Sequence, residues 1–140
     1  MQLMIFGLSR KTDLALQAME ALSTAEDRMS GAALAEQIGT SVQFLPQVLA
    51  PLIRAGWVHS ERGPGGGYLI AISLESVSLL DVIETTEGEI DNGRCVLRDG
   101  PCPGTESCPV HTAWMSAREV LIDKLRAFSV AQALSTEVTA

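Results

Sequence analysis

The sequence predicts a mainly α-helical fold with a small β-hairpin wing: a winged helix-turn-helix followed by a long C-terminal helix suited to dimerisation. Three observations carry this. Segments of helical periodicity fall between residues 9 and 55, two short apolar runs flank a glycine-rich stretch at 62–67, and residues 112–128 form one long amphipathic segment. With 140 residues, 46% of them apolar, the chain has material for one core and no room for a second full domain.

Ser9 is a good N-cap for a helix reaching about Ser23, with Leu14, Ala18, Met19 and Leu22 on one stripe. Ser30 caps a second helix, Ala32 to Ile38, which Gly39 closes. Thr40 or Ser41 caps a third, running to Ala55, in which Pro46 and Pro51 each remove a backbone donor, so that it bends or starts late. A turn of three or four residues between the second and third helices is the helix-turn-helix arrangement. The runs 57–60 and 68–71 then pair across the glycine-rich tip as a wing. Ser78-Leu79-Leu80-Asp81 has the spacing of a capped helix from Leu79 to about Thr85. Residues 87–108 are rich in Gly, Pro, Asp and Glu and read as a loop. From Thr112 to Phe128, Trp114, Met115, Ala117, Val120, Leu121, Leu125 and Phe128 recur at helical spacing, and a second subunit is the natural cover for that face.

Several classes are excluded. No apolar run reaches the length of about 18 residues that a membrane span needs, and the start at Met1–Leu8 lacks the basic region and cleavage site of a signal peptide, so a cytoplasmic protein is expected. The glycine-rich stretch lacks the Gly-Lys-Ser/Thr ending of a P-loop. His59 and His111 are the only histidines, and neither is part of a readable nucleophile–base pairing; no enzyme is expected.

The formal charge of -7 argues at first against nucleic acid. It is unevenly spread: residues 1–68 carry five basic and six acidic side chains, residues 69–140 five and eleven. The near-neutral first half holds the candidate DNA contacts. Ser41, Gln43 and Gln47 in the third helix offer short or amide-bearing side chains to base edges, and Arg62 before the wing tip offers a guanidinium to phosphate or the minor groove. A solvated polar face and a solvated turn are the plainer readings of the same residues.

Cys95, Cys102 and Cys108 fall within fourteen residues of one another, and the rest of the chain has no cysteine. An odd number cannot pair fully, and clustering points to a metal. Spacings of six and five are wider than the tight knuckles of structural zinc and suit an iron-sulfur cluster, with zinc as the alternative. Three thiolates leave one ligand position, for which His111 is the nearest candidate; a helix-start histidine that merely packs is the plainer reading.

The stretch Arg62-Gly-Pro-Gly-Gly-Gly-Tyr-Leu after a helix-turn-helix, the Leu80-Asp81-Val82-Ile83 helix and the three-cysteine loop together resemble the IscR/NsrR/RirA (Rrf-two) family of bacterial transcription regulators. The resemblance covers about residues 9–135. It implies a homodimer that binds palindromic promoter DNA under the control of an iron-sulfur cluster, [2Fe-2S] or [4Fe-4S], on Cys95, Cys102 and Cys108. The fourth ligand it implies is His111, from the Cys108-Pro-Val-His111 pattern, or Asp13 of the first helix donated by the partner subunit, from Thr12-Asp13-Leu14-Ala15. Pro46 departs from the glutamate of IscR at that position and puts the IscR operator sequence in doubt. A DNA-binding region at 1–86, a cluster loop at 87–111 and a dimerisation helix and tail at 112–140 follow as parts of one integrated domain.

Overall fold

The computed structural model describes residues 7–95, 97, 100–104 and 106–135. The expected chain start at Met1–Phe6, Arg98 of the cysteine loop and the tail beyond Ser135 lie outside them. Helices α1 (Arg10–Thr24), α2 (Gly31–Ile38) and α3 (Leu45–Arg54) precede strands β1 (Val58–Glu61) and β2 (Gly67–Ile70). A single 3-10 turn (Leu74–Ser76) leads into α4 (Leu79–Glu87), and α5 (His111–Ala127) and α6 (Val130–Leu134) complete the order. The expected architecture is present: a mainly helical chain with a two-stranded antiparallel wing.

Helix α1 is the centre of the packing. Its apolar residues are too dense for one stripe, and Leu14, Ala15, Leu16, Ala18, Met19, Ala21 and Leu22 are all buried, against α2, α3, α4 and the wing. Serines start the helices as expected. Ser9 Oγ accepts from the Thr12 backbone N–H and Ser30 Oγ from that of Ala33, while Ser78 and Asp81 form a reciprocal capping box. Gly39 closes α2 at φ +74°, a conformation that costs a side-chain-bearing residue about 1 kcal/mol or more.

The third helix differs from expectation. It begins at Leu45, not after Ser41, because residues 42–44 form a tight turn whose Phe44 N–H is taken by Ser41 Oγ. Pro46 accounts for the late start, since its missing N–H is tolerated only in the first turn of a helix. The connection from α2 to α3 is therefore residues 39–44, longer than a turn of three or four.

The wing is more than a hairpin. Val58 pairs with Ile70 and Glu61 with Gly67, and beyond β2 the Met29 and Tyr68 backbones exchange two hydrogen bonds of 2.9 and 2.8 Å. Arg28, beside Met29, pairs with Glu61 and donates to the Gly65 carbonyl at 3.2 Å. The α1–α2 linker thus holds the tip half of the wing.

Helix α5 leaves its apolar face uncovered in the single chain. Met115, Val120 and Leu121 are exposed, as is Phe128 just beyond its end, and the buried residue is Arg118. The helix packs on α4, and its far end returns to the core: Leu79 N–H donates to Phe128 O and Val130 N–H to Val77 O, both at 2.8 Å. This return includes α6, which the sequence reading missed. Ser129-x-x-Gln132 caps it with a box of the same spacing as Ser78-x-x-Asp81, and Val130 is fully buried.

Gly67 has φ +150°, and a Cβ there would run into the Met29 carbonyl oxygen, whereas Gly65 at φ +74° faces open space. Gly67→Ala should therefore destabilise the fold by about 2–3 kcal/mol and Gly65→Ala by about 1 kcal/mol, read as shifts in urea midpoints.

Candidate metal centre and nucleic-acid interface

The loop between α4 and α5 contains no regular helix or strand among its described residues, as expected, yet it is ordered by its own backbone. Gly93 O accepts from Cys102 N–H at 2.9 Å and Gly100 O from Cys95 N–H at 3.0 Å, closing a clasp with Arg94 bridged to Pro101. A second turn follows, in which Gly104 O accepts from Ser107 and Cys108. His111 N–H then donates to Cys108 O at 3.2 Å as α5 begins. The cysteine amides at 95 and 102 are spent on the clasp, so they are not free to face a bound group.

These turns carry the three sulfurs to within 4.8 Å of one another. Cys95 and Cys108 are buried and 3.8 Å apart, and Cys102 is half-buried with its Sγ 3.0 Å from His111 Nδ1. None of the three is in a disulfide. Among the described residues, no other group of His, Cys, Asp or Glu side chains converges in this way.

The donor chemistry fits a thiophilic metal. With metal–sulfur bonds of about 2.3 Å, two thiolates on one tetrahedral ion stand about 3.8 Å apart, which is the Cys95–Cys108 separation. Three soft donors with an adjacent imidazole also suit iron-sulfur chemistry. A polynuclear cluster is larger than one ion, so the thiolates would move outward on the loop to seat it.

Of the two candidates for the fourth ligand, His111 is at the site. Asp13 sits in the first turn of α1, half exposed, accepting from Gln17 Nε2 at 3.0 Å and pairing with Arg10 at 3.4 Å. Neither Asp13 nor His111 belongs to the group of three converging thiols within one chain.

The candidate DNA contacts are on the surface. Ser41, Gln43 and Gln47 are exposed within one seven-residue stretch, but Ser41 and Gln43 lie in the turn before α3, and only Gln47 is in the helix. The Ser41 hydroxyl also serves as the cap of that turn. Arg62 is exposed at the edge of the wing tip.

Comparison with known proteins places this arrangement. A family model described as "Rrf2: Iron-dependent Transcriptional regulator" matches residues 8–136. The chain belongs to the Rrf2 family. It is 35% identical over 105 residues to the HTH-type transcriptional regulator IscR of Pectobacterium carotovorum, a match covering 75% of this chain and 63% of that one. The IscR of Erwinia tasmaniensis is 31% identical over 117 residues, 84% of this chain and 70% of its own. The chain thus spans under two thirds of the first of these relatives. In fold it is similar to CymR, the global cysteine regulator of B. subtilis, with a TM-score of 0.73 at 24% identity, covering 96% of this chain and all of that one. An IscR from T. potens gives 0.69 at 24%, covering 97% and 95%.

Sequence reasoning missed three features around this Rrf2 site. Arg28 holds the wing, and Arg118 pairs with Asp91 of the loop at 2.8 Å. Thr12, fully buried, joins Thr86 at 2.6 Å and so ties the start of α1 to the end of α4. The available signal was the seven-residue spacing of His111 and Arg118, which puts both on one face of α5. Among the described residues no helix is long and apolar enough to cross a membrane.

A hydrogen bond with the Val110 backbone pulls the Cys108 thiol down. Burial, hydrogen bonds with Cys95 and Cys102 and the charge of Cys102 outweigh it, leaving Cys108 above its ordinary value. In the metal-free protein the folded state then keeps a proton that the unfolded chain gives up first, so stability falls as pH rises through and above the ordinary thiol range. Between about pH 8 and about pH 10 the urea midpoint of the reduced, metal-free protein should fall more steeply than that of Cys108→Ser.

Proposed function

We propose that this chain is a homodimeric, DNA-binding transcription regulator of the cytoplasm whose hold on a palindromic promoter site is set by an iron-sulfur cluster. The reading rests on one observation: three thiols converge, with His111 Nδ1 beside that of Cys102, next to a helix that follows a winged helix-turn-helix. Cys95, Cys102, Cys108 and His111 are the ligands within one chain. His111 is preferred to the partner's Asp13, because Nδ1 already lies 3.0 Å from a ligand sulfur and Asp13 is engaged by Arg10 and Gln17. When bound, an iron-sulfur cluster of two or four irons supplies electron exchange and reactivity towards oxidants and nitric oxide.

The protein's own residues do the rest. Helix α5 starts at a ligand and carries Met115, Val120 and Leu121 in solvent, which supports a second copy of the chain crossing it. Two recognition segments must then stand about 34 Å apart, or a multiple of that, to read a palindrome in successive major grooves. Gln47 offers its amide to a base edge, Ser41 and Gln43 flank it, and Arg62 reaches phosphate or the minor groove. Residues 88–110 connect ligands to α5, so a change in what the thiolates hold shifts the base of that helix. This is coupling between two sites in the thermodynamic sense. The chain has no enzymatic role in this reading.

The 3.8 Å sulfur separation also fits a single tetrahedral zinc, and one experiment separates the readings. Protein reconstituted without oxygen should be coloured, carry iron and sulfide, and bind DNA from its own upstream region. Gln47→Ala should then weaken binding by about 1–3 kcal/mol at one base position, and Arg62→Ala should weaken it on every sequence and lower the salt slope by about 1. Colourless, zinc-loaded protein would replace the sensor with a zinc-stapled DNA-binding protein. A stable cluster with no promoter affinity in either the cluster-bound or the cluster-free form would make it an electron carrier.

A further inference from the structure

Helix α5 buries a charged residue while its apolar neighbours stand in solvent. Arg118 is 6% exposed, with a guanidinium nitrogen 2.8 Å from Asp91 Oδ1 and a second contact to Met115 Sδ. Withdrawing a guanidinium from water is costly and persists only where its partner and geometry repay it. Asp91 is 64% exposed, so the pair is buried at the helix end and open at the loop end.

Its location gives the pair a task. Asp91 stands two residues before Gly93, whose carbonyl accepts the Cys102 N–H, at the root of the clasp that carries Cys102. Arg118 follows His111 by seven residues, nearly two helical turns, so both face the loop with Trp114 between them. A cavity of about 200 Å³ lies there, lined by Asp91, Cys102, His111, Trp114 and Arg118 among others. His111 is fixed to α5 and Cys102 to the clasp. What remains to be set is the register of clasp against helix, and the Asp91–Arg118 ion pair spans that gap.

We propose that Arg118 is a positioning residue for the centre, holding the clasp through Asp91 in the register that places His111 Nδ1 beside Cys102 Sγ. This rests on the reading of Cys102 and His111 as ligands. Groups that orient metal ligands without touching the metal commonly change metal retention by about 10–100-fold.

The test compares wild type with Arg118→Met, Arg118→Lys, Asp91→Asn and the double variant Asp91→Asn/Arg118→Met, each checked for folding by circular dichroism. One readout is the rate of iodoacetamide modification of Cys102 relative to Cys108 in reduced, metal-free protein. The other is the lifetime of the visible absorbance of reconstituted protein in the presence of a chelator. Arg118→Met and Asp91→Asn should each raise relative Cys102 modification several-fold and shorten the lifetime about tenfold, with Arg118→Lys recovering part of both. The double variant should be no worse than either single one, because the pair acts as a unit. Unchanged ratios and lifetimes in folded variants, or effects that add in the double variant, would overturn the proposal. Should Arg118→Met fail to fold, Asp91→Asn decides the matter, since its side chain is on the surface. If wild type takes up no iron and sulfide, the ligand reading fails, and the modification ratio still judges the pair by itself.

Discussion

A loop with no core of its own has to hold three sulfurs and an imidazole in one small volume, and the architecture of this chain follows from how that is done. Residues 88–110 lack a regular element among those described, so their order comes from backbone closures at Gly93, Gly100 and Gly104 and from anchoring at both ends. At the entry, Ile90 N–H donates to Glu84 on α4, and Asp91 is held by Arg118. At the exit, Cys108 O accepts the first N–H of α5. Among the loop's described residues these closures are polar, which on the regulator reading suits a segment that changes shape when its ligands fill. A packed interior resists such a change, because side chains at crystal-like density cannot shift independently.

The loop's two anchors lead in different directions. Through α5 they lead to an exposed apolar face, and through α4 to the base of the DNA-binding half. Thr86 at the end of α4 meets Thr12, Thr12 meets Ser9, and the Ser9 backbone donates to Glu87 one residue before the loop starts. The start of α1, the helix on which α2 and α3 pack, is thereby tied to the entry of the cysteine loop. The wing is tied separately through Arg28 and Met29, so the surface offered to DNA is set by the α1–α2 linker as well as by α3.

Much of this was legible in the sequence. Serine caps at 9, 30 and 78, the glycine after α2, the wing and the cysteine cluster are local signals, and local signals survive folding. Pro46 signalled the late start of α3, but the position of its cap was harder, because Phe44 caps it without a side-chain hydrogen bond and leaves no polar marker. Helix α6 carried a readable capping box at Ser129 and Gln132, but five residues are too few for periodicity to register. The burial of Arg118 was not legible for a general reason: a charge on an amphipathic helix normally marks the solvated face, and only the fold reveals the carboxylate of Asp91 beside it. The fourth-ligand question narrowed in the same way, since proximity of His111 to Cys102 is a tertiary fact. The net charge of -7 also acquires a place. Eight acidic residues of the chain lie between 75 and 106, and none is among the candidate DNA contacts, so on the regulator reading specific contacts and dimer geometry carry promoter affinity.

On the regulator reading, DNA binding depends on the state of the cysteine site, and equilibrium anisotropy measures that dependence. Labelled DNA from the upstream region is titrated at one fixed salt concentration with reconstituted and with metal-free protein, both reduced and both shown to be folded. The regulator reading requires affinities that differ by about tenfold or more, a coupling of about 1.4 kcal/mol. Equal affinities for that DNA in the two states would contradict it.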